Sequence, residues 1–190
     1  MPKLWNATIE THRAAVRDAI LDATLALVAE RGLRGVTMAE VAARAGIGRA
    51  TLYKYFTDAE AVLRAWHERQ IGGHLTELAA IAEAPGEPAA RLAAVLTRYA
   101  QLAQAGRGAH DAELAAVLHL DERVAAARHR LRRLLGDLIG QAAAAGAVRD
   151  DVVPDELAAY SLHALGAAGE LHSRSAVRRL VHLTMAGLRP

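Results

Sequence analysis

Arg49 and Lys54 stand on one short stretch with Ala50, Thr51, Tyr53 and Tyr55 between and beside them. An arginine can donate two parallel hydrogen bonds to a guanine edge, and an alanine can meet a thymine methyl. A lysine can reach a base or a phosphate. Such groups read nucleic acid only when a rigid element fixes their spacing, and residues 37–63 have the pattern of one. Thr37 can cap a short helix, with Glu40 three residues on as in a capping box. Val41, Ala42 and Ala45 give that helix a small apolar face, and Arg44 near its end is a further candidate contact. Gly46 allows a left-handed turn, and Ile47 can plug it. A second helix then runs from about Arg49 to Tyr55, with Leu52 and Phe56 inward at i, i+4 spacing. This is the layout of a helix-turn-helix DNA reader. A seven-residue helix is too short to be stable alone, so its neighbours must hold it. Other readings are a solvated charge for Arg49 and a ring packed against the first helix for Tyr53.

From about Arg13 to Leu63 the chain resembles the DNA-binding end of the tetracycline-repressor (TetR) family. Three blocks carry the resemblance: Ile20–Ala23 through Ala29-Glu30-Arg31-Gly32, Gly35-Val36-Thr37-Met38 with Val41-Ala42, and Ala45 through Phe56. The resemblance implies that the hydroxyls of Thr37, Thr51, Tyr53 and Tyr55 bind phosphates and fix register. It also implies that the last two helices pair with those of a second subunit as a four-helix bundle. Gly48 stands where the family often has Ser, so a side-chain cap on the recognition helix is missing. Ala59 stands where a Lys usually begins the fourth helix, which removes one phosphate contact.

The chain of 190 residues is long enough for a substantial core. It has no cysteine, which excludes disulfides and thiolate metal sites. No signal peptide is evident, and no apolar run approaches the ~18–20 residues that span a bilayer. A soluble cytoplasmic protein is therefore the default, with no membrane partner. The net charge of +2 is uneven. Residues 1–56 carry eight Lys and Arg against five Asp and Glu, and residues 57–190 carry 15 against 16. A basic head on a near-neutral body suits contact with nucleic acid at one end.

Helical periodicity dominates, and no clean period-2 strand pattern occurs. The expected fold is all-α with about nine helices. A three-helix DNA-binding domain spans residues 1–57, and an effector-binding and dimerisation domain spans 58–190. The first helix covers about Thr11 to Arg31, with Val16, Ile20, Ala23, Leu27 and Val28 inward. Asp58 caps a fourth, to about Ala84, which contains the costly pair Gly72-Gly73; a kink or close helix packing would account for it. A fifth covers about 88–105, a short sixth 110–119, and a seventh 122–145. The eighth opens at Pro154-Asp155-Glu156 and the ninth at Ser173. The apolar faces of the last two include Leu157, Tyr160, Leu165, Val177, Leu180, Val181 and Met185, the expected dimer contacts.

No catalytic set emerges: no Gly-rich phosphate loop, no nucleophile elbow and no HExxH. His67 and His74 lie seven apart, not the four of a helical ligand pair, and no carboxylates support them, so neither a metal nor a cofactor is expected. The regulatory half has few aromatics, and its acidic residues fall mostly at helix starts, turns and outer faces. That composition suits a small, mainly apolar effector, neutral or anionic, rather than a flat multi-ring cation. Trp66, Leu96 and Tyr99 are the candidate walls and His67, His119 and Arg128 the candidate polar anchors. Arg128 falls near the inner edge of its helix, where snorkelling to solvent competes with an inward role.

The function read from these features is a homodimeric, ligand-responsive regulator that a small effector releases from a palindromic double-stranded DNA operator. By resemblance, the effector would lie between helices four to seven and move the fourth. The alternative is a helix-turn-helix regulator without a small effector, gated by a protein partner or constitutive. An α-helical enzyme is the reading that the missing catalytic constellation excludes.

Overall fold

The computed structural model describes residues 2–32, 35–106 and 122–190, and the described residues are helical, with no strand. The chain divides into two compact units, residues 1–70 and 71–190.

The first unit holds α1 (Pro2–Arg31), α2 (Met38–Arg44), α3 (Arg49–Tyr53) and the first part of α4 (Ala59–Ala82). Helix α1 begins nine residues before the expected start at Thr11. Residues 9–15 are exposed, so that stretch has no apolar face for periodicity to register. Further on, Ile20, Leu21, Ala23, Leu27 and Val28 are buried, as are Val41, Leu52, Phe56, Val62 and Trp66 of the later helices. Thr24 is buried as well, its hydroxyl donating to the Ile20 carbonyl at 2.8 Å. Asp58 caps α4 as the sequence indicates, its carboxylate accepting from the Ala61 amide at 2.7 Å.

The second unit holds the rest of α4, then α5 (Pro88–Ala105), α6 (Glu122–Ala144), α7 (Pro154–Gly166), a 3-10 turn (Ala167–Glu170) and α8 (Arg174–Gly187). The short helix expected at 110–119 lies outside the described residues. Helix α5 is central: it packs on α6, α7, the 3-10 turn and α8. It contributes Leu92, Val95, Leu96 and Ala100, all fully buried, to a core shared with Leu135, Leu138 and Ile139 of α6 and Leu165 of α7. Arg132 of α6 donates from Nε and a terminal nitrogen to the two carboxylate oxygens of Asp155 at the start of α7. Helix α8 is capped by Ser173, whose hydroxyl accepts from the Ala176 amide at 3.1 Å.

Candidate nucleic-acid interface and regulatory cavities

The turn between α2 and α3 follows from one residue. Gly46 adopts φ 68°, a left-handed conformation open to glycine at little cost. Its amide donates to the Ala43 carbonyl at 3.3 Å, and the Ile47 amide donates to the Ala42 carbonyl at 3.0 Å. Those two bonds close α2 as a Schellman motif, with half-buried Ile47 as the residue after the turn. The chain then enters α3 through Gly48, which offers no side-chain cap.

Helix α3 has five residues and ends at Tyr53, two short of the expected Tyr55. Leu52 and Phe56 anchor it, at 0% and 6% exposure. The Arg17 guanidinium lies 5.0 Å from the centre of the Phe56 ring. Arg49, Ala50, Tyr53 and Lys54 are exposed, while Thr51 and Tyr55 are half-buried. Tyr53 is 54% exposed, so its ring is not sequestered against the first helix. Neither Arg49 nor Lys54 forms an ion pair with a described residue, and both present free charge to solvent.

Two arginines on either side of the α1–α2 connection are already engaged. Arg44 donates to both oxygens of Glu30, at 2.9 and 2.6 Å, and this holds the Glu30 carboxyl below the usual carboxylate range. Arg31 pairs with Glu40, whose other oxygen accepts from the Thr37 hydroxyl at 2.8 Å. Thr37 in turn accepts from the Glu40 amide at 3.3 Å. Glu40 thus supports the Thr37 cap through its hydroxyl. The geometry places Arg44 and Thr37 as fasteners of α2 at the edge of the reading surface. Asp58 is also held below the ordinary range, first by the Ala61 amide and then by the Thr57 hydroxyl. A depressed carboxyl stabilises the fold above its unfolded pKa, and the effect is lost as pH falls through the folded value. These local anchors therefore hold at neutral pH and weaken only in acid.

The candidate effector residues are divided between the two units. Trp66 is 7% exposed in the first unit, with its indole N–H buried and without an acceptor, and the His67 ring centre is 6.4 Å from it. In the second unit Leu96 is fully buried, Tyr99 is half-buried and Arg128 is exposed. Burial raises the Tyr99 hydroxyl pKa, and the Arg128 charge opposes that shift. His119 lies outside the described residues.

Among the described residues, cavities of the second unit include two lined by side chains other than these. One, of about 350 Å³, lies among α4, α5 and α6 and mixes Arg91, Arg130 and Arg133 with Glu83 and Asp137. The other, of about 920 Å³, lies between α5 and α8. Its basic residues include Arg174, Arg178 and His182, spaced four apart in the sequence. That spacing was legible, but nothing in the sequence paired it with α5. Among the described residues no three His, Asp or Glu side chains gather to hold a metal ion. No described helix is long and apolar enough to cross a membrane.

The candidate dimer residues also fall into two sets. Leu157, Leu165, Val177 and Val181 are buried in the chain's own core. Leu180 and Met185 pack partly against that core. Tyr160 is 48% exposed and lies over Gly187, where a Cβ would stand 2.9 Å from the tyrosine oxygen. Leu183, which the sequence pattern did not single out, is 66% exposed.

Known proteins share this organisation. A curated relative, the HTH-type transcriptional regulator BetI of Serratia proteamaculans, is 35% identical over 82 residues, covering 42% of this chain and 41% of its own. The chain thus spans less than half the length of that relative. Over 92% of the chain, a TetR transcriptional regulator from Streptomyces coelicolor is 30% identical with a TM-score of 0.63, and the match takes in 98% of that protein. A TetR/AcrR regulator from Thermobifida fusca shares the fold at a TM-score of 0.77 and 22% identity, over 92% of this chain and 98% of its own. Residues 87–190 match the C-terminal domain of SbtR-like transcriptional regulators, and residues 20–66 match the bacterial regulatory proteins of the tetR family. With its Schellman turn, its exposed α3 and a regulator's C-terminal domain over more than half its length, the chain belongs to the TetR family of transcriptional regulators.

Proposed function

We propose that this chain is a homodimeric, ligand-responsive repressor that leaves a palindromic operator when a small effector binds. The observation that carries the reading is the state of α3. Its unpaired cations Arg49 and Lys54 and the exposed Tyr53 face outward, while Leu52 and Phe56 fix it from beneath. In this reading Arg49 and Ala50 contact base edges. Lys54 and the hydroxyls of Thr51, Tyr53 and Tyr55 contact phosphates, and Thr37 and Arg44 hold α2 in register.

Two-fold pairing would use the outer flank of α7 and α8, where Tyr160, Leu180 and Leu183 lie. Leu157, Leu165, Val177 and Val181 support that flank from inside, and Met185 lies on the other side of α8. The exposed Leu183 makes the test clean. Leu183→Glu leaves the core intact, and sedimentation should turn dimers into monomers. A wild-type protein that is monomeric at micromolar concentration overturns the pairing.

The effector is small and mainly apolar, neutral or anionic. Cavities of 350 and 920 Å³ fall within the ~300–1,000 Å³ range of small-molecule sites, which supports an effector over the rival without one. A structure with the same fold, at 20% identity and a TM-score of 0.61, was solved with isovaleryl coenzyme A and operator DNA. An effector acts here only through unequal affinity for two states of the protein.

Selection from a random duplex pool tests the DNA reading. It should return a two-fold symmetric site with half-site centres roughly 34–36 Å apart. The absence of a symmetric consensus overturns it. Compounds that raise the melting temperature should then release that DNA. If they bind and leave DNA affinity unchanged, the regulator works without a small effector.

A further inference from the structure

The cavity between α5 and α8 has two rails on the α8 side. Arg174, Arg178 and His182 form one, and Val177, Val181 and Met185 form the other, each at i, i+4, i+8 spacing. The rails run side by side for eight residues, about 12 Å at the helical rise. Facing them on α5 are Ala93, Thr97, Gln101 and Ala105, small or uncharged and four residues apart.

The charge pattern is one-sided. No carboxylate is among the residues that line this cavity, whereas the smaller cavity has two. Arg98 lines it too, but its guanidinium is bound to Glu77, at 2.6 and 2.9 Å. Arg174, Arg178 and His182 form no ion pair with a described residue. Helix α8 also has no acid in its first turn and starts with Arg174. Cations in the first turn of a helix oppose the macrodipole, so Arg174 gains nothing from the helix end it occupies. At 100° per residue the cationic rail and the exposed Leu183 lie on roughly opposite flanks of α8. A subunit pairing through Leu183 leaves the cavity open.

We propose that this cavity binds an amphipathic anion, a charged head on an aliphatic chain. The head takes charge-assisted hydrogen bonds from Arg174 and Arg178, with His182 beside them. The chain lies over Met185, Ala93 and Ala105, above a floor closed by the core valines Val177 and Val181. The site concerns binding to DNA-free protein, and its existence does not depend on whether occupancy releases DNA.

Isothermal titration on the DNA-free protein tests it, with decanoate, decyl phosphate, decanol and acetate as probes. At least one of the two decyl anions should bind saturably, and the tighter of them identifies the head as carboxylate or phosphate. Decanol lacks the charge and acetate lacks the chain. Each should bind at least about tenfold more weakly, as should the tighter decyl anion to the double variant Arg174→Ala/Arg178→Ala. Thr97→Leu, which fills the cavity and leaves the arginines, should weaken it comparably. Met185 is the only methionine of the three beyond residue 38, so its labelled methyl resonance reports on this cavity and should shift on binding. No saturable binding by either anion, equal binding of decanol, full affinity in the double variant, or a stationary Met185 signal would each overturn the proposal.

Discussion

The two units handle their cations differently. In the first, arginines near the reading surface are either tied to a local acid, as Arg44 is to Glu30 and Arg31 to Glu40, or left outward on a short helix, as Arg49 is. Arg49 is exposed on a helix that Leu52 and Phe56 anchor from beneath. In the second, Arg174 and Arg178 are equally unpaired, but they border a concavity of about 920 Å³ beside apolar side chains. An exposed array of donors suits a large polyanion with exposed phosphates, and donors that border a cavity suit a small ligand. On the two proposals above, the same residue type would take different partners according to whether packing leaves it on an exposed helix or beside a cavity.

Substitutions can break or sharpen that contrast. The largest effect should come from Leu165→Glu, which places an unpaired carboxylate at a fully buried site in the second unit. The cost is roughly 2–7 kcal/mol or more, and thermal unfolding should show loss of the cooperative transition of residues 71–190. Leu165 is a core residue, so this variant tests packing and cannot by itself test subunit pairing. Next is Arg49→Ala, which touches nothing buried. It should cost about 1–3 kcal/mol at one base position and relax specificity there, with the melting temperature unchanged. Equal operator affinity for the variant would remove Arg49 from base reading.

Smaller effects probe the backbone. Gly72 lies exposed in α4, and a Cβ there would meet no atom within 4 Å. The same holds for Gly73, so packing among the described residues does not account for this pair. Gly72→Ala should stabilise α4 by about 1 kcal/mol, readable as a higher melting temperature. A loss of stability would mean that the glycine serves a packed conformation after all. The smallest effect is expected from Gly48→Ser. The site has φ −70° and ψ 147°, and its nearest neighbour would be the Thr51 hydroxyl at 4.0 Å. A serine should therefore cap α3 and add a few tenths of a kcal/mol. Sharper operator binding would show that α3 is held loosely in the native sequence.

The helix-turn-helix geometry was legible in the sequence because its determinants are local. Thr37, Gly46, Leu52 and Phe56 act within a few residues of one another, and caps, turns and i, i+4 spacing are properties of adjacent chain. Asp58 and Ser173 marked helix starts for the same reason. The stretch of α1 at residues 9–15 is exposed and so leaves no hydrophobic period to mark it as helix. The division of the chain falls between Gln70 and Ile71, within α4, and a continuous helix gives no composition break there.

What the sequence determined by itself was an all-α chain with a helix-turn-helix head and amphipathic helices behind it. Only the tertiary structure decided which cations are free. Arg44 and Arg49 look alike in sequence, and the difference is Glu30, fourteen residues from one of them and folded back onto it. Only packing decided, too, that four of the expected dimer residues lie in the chain's own core and that Leu183 stands outside it. The rails of α8 became a cavity only when α5 faced them. Periodicity tells which side of a helix is apolar, but what covers that side depends on contacts between residues far apart in the chain.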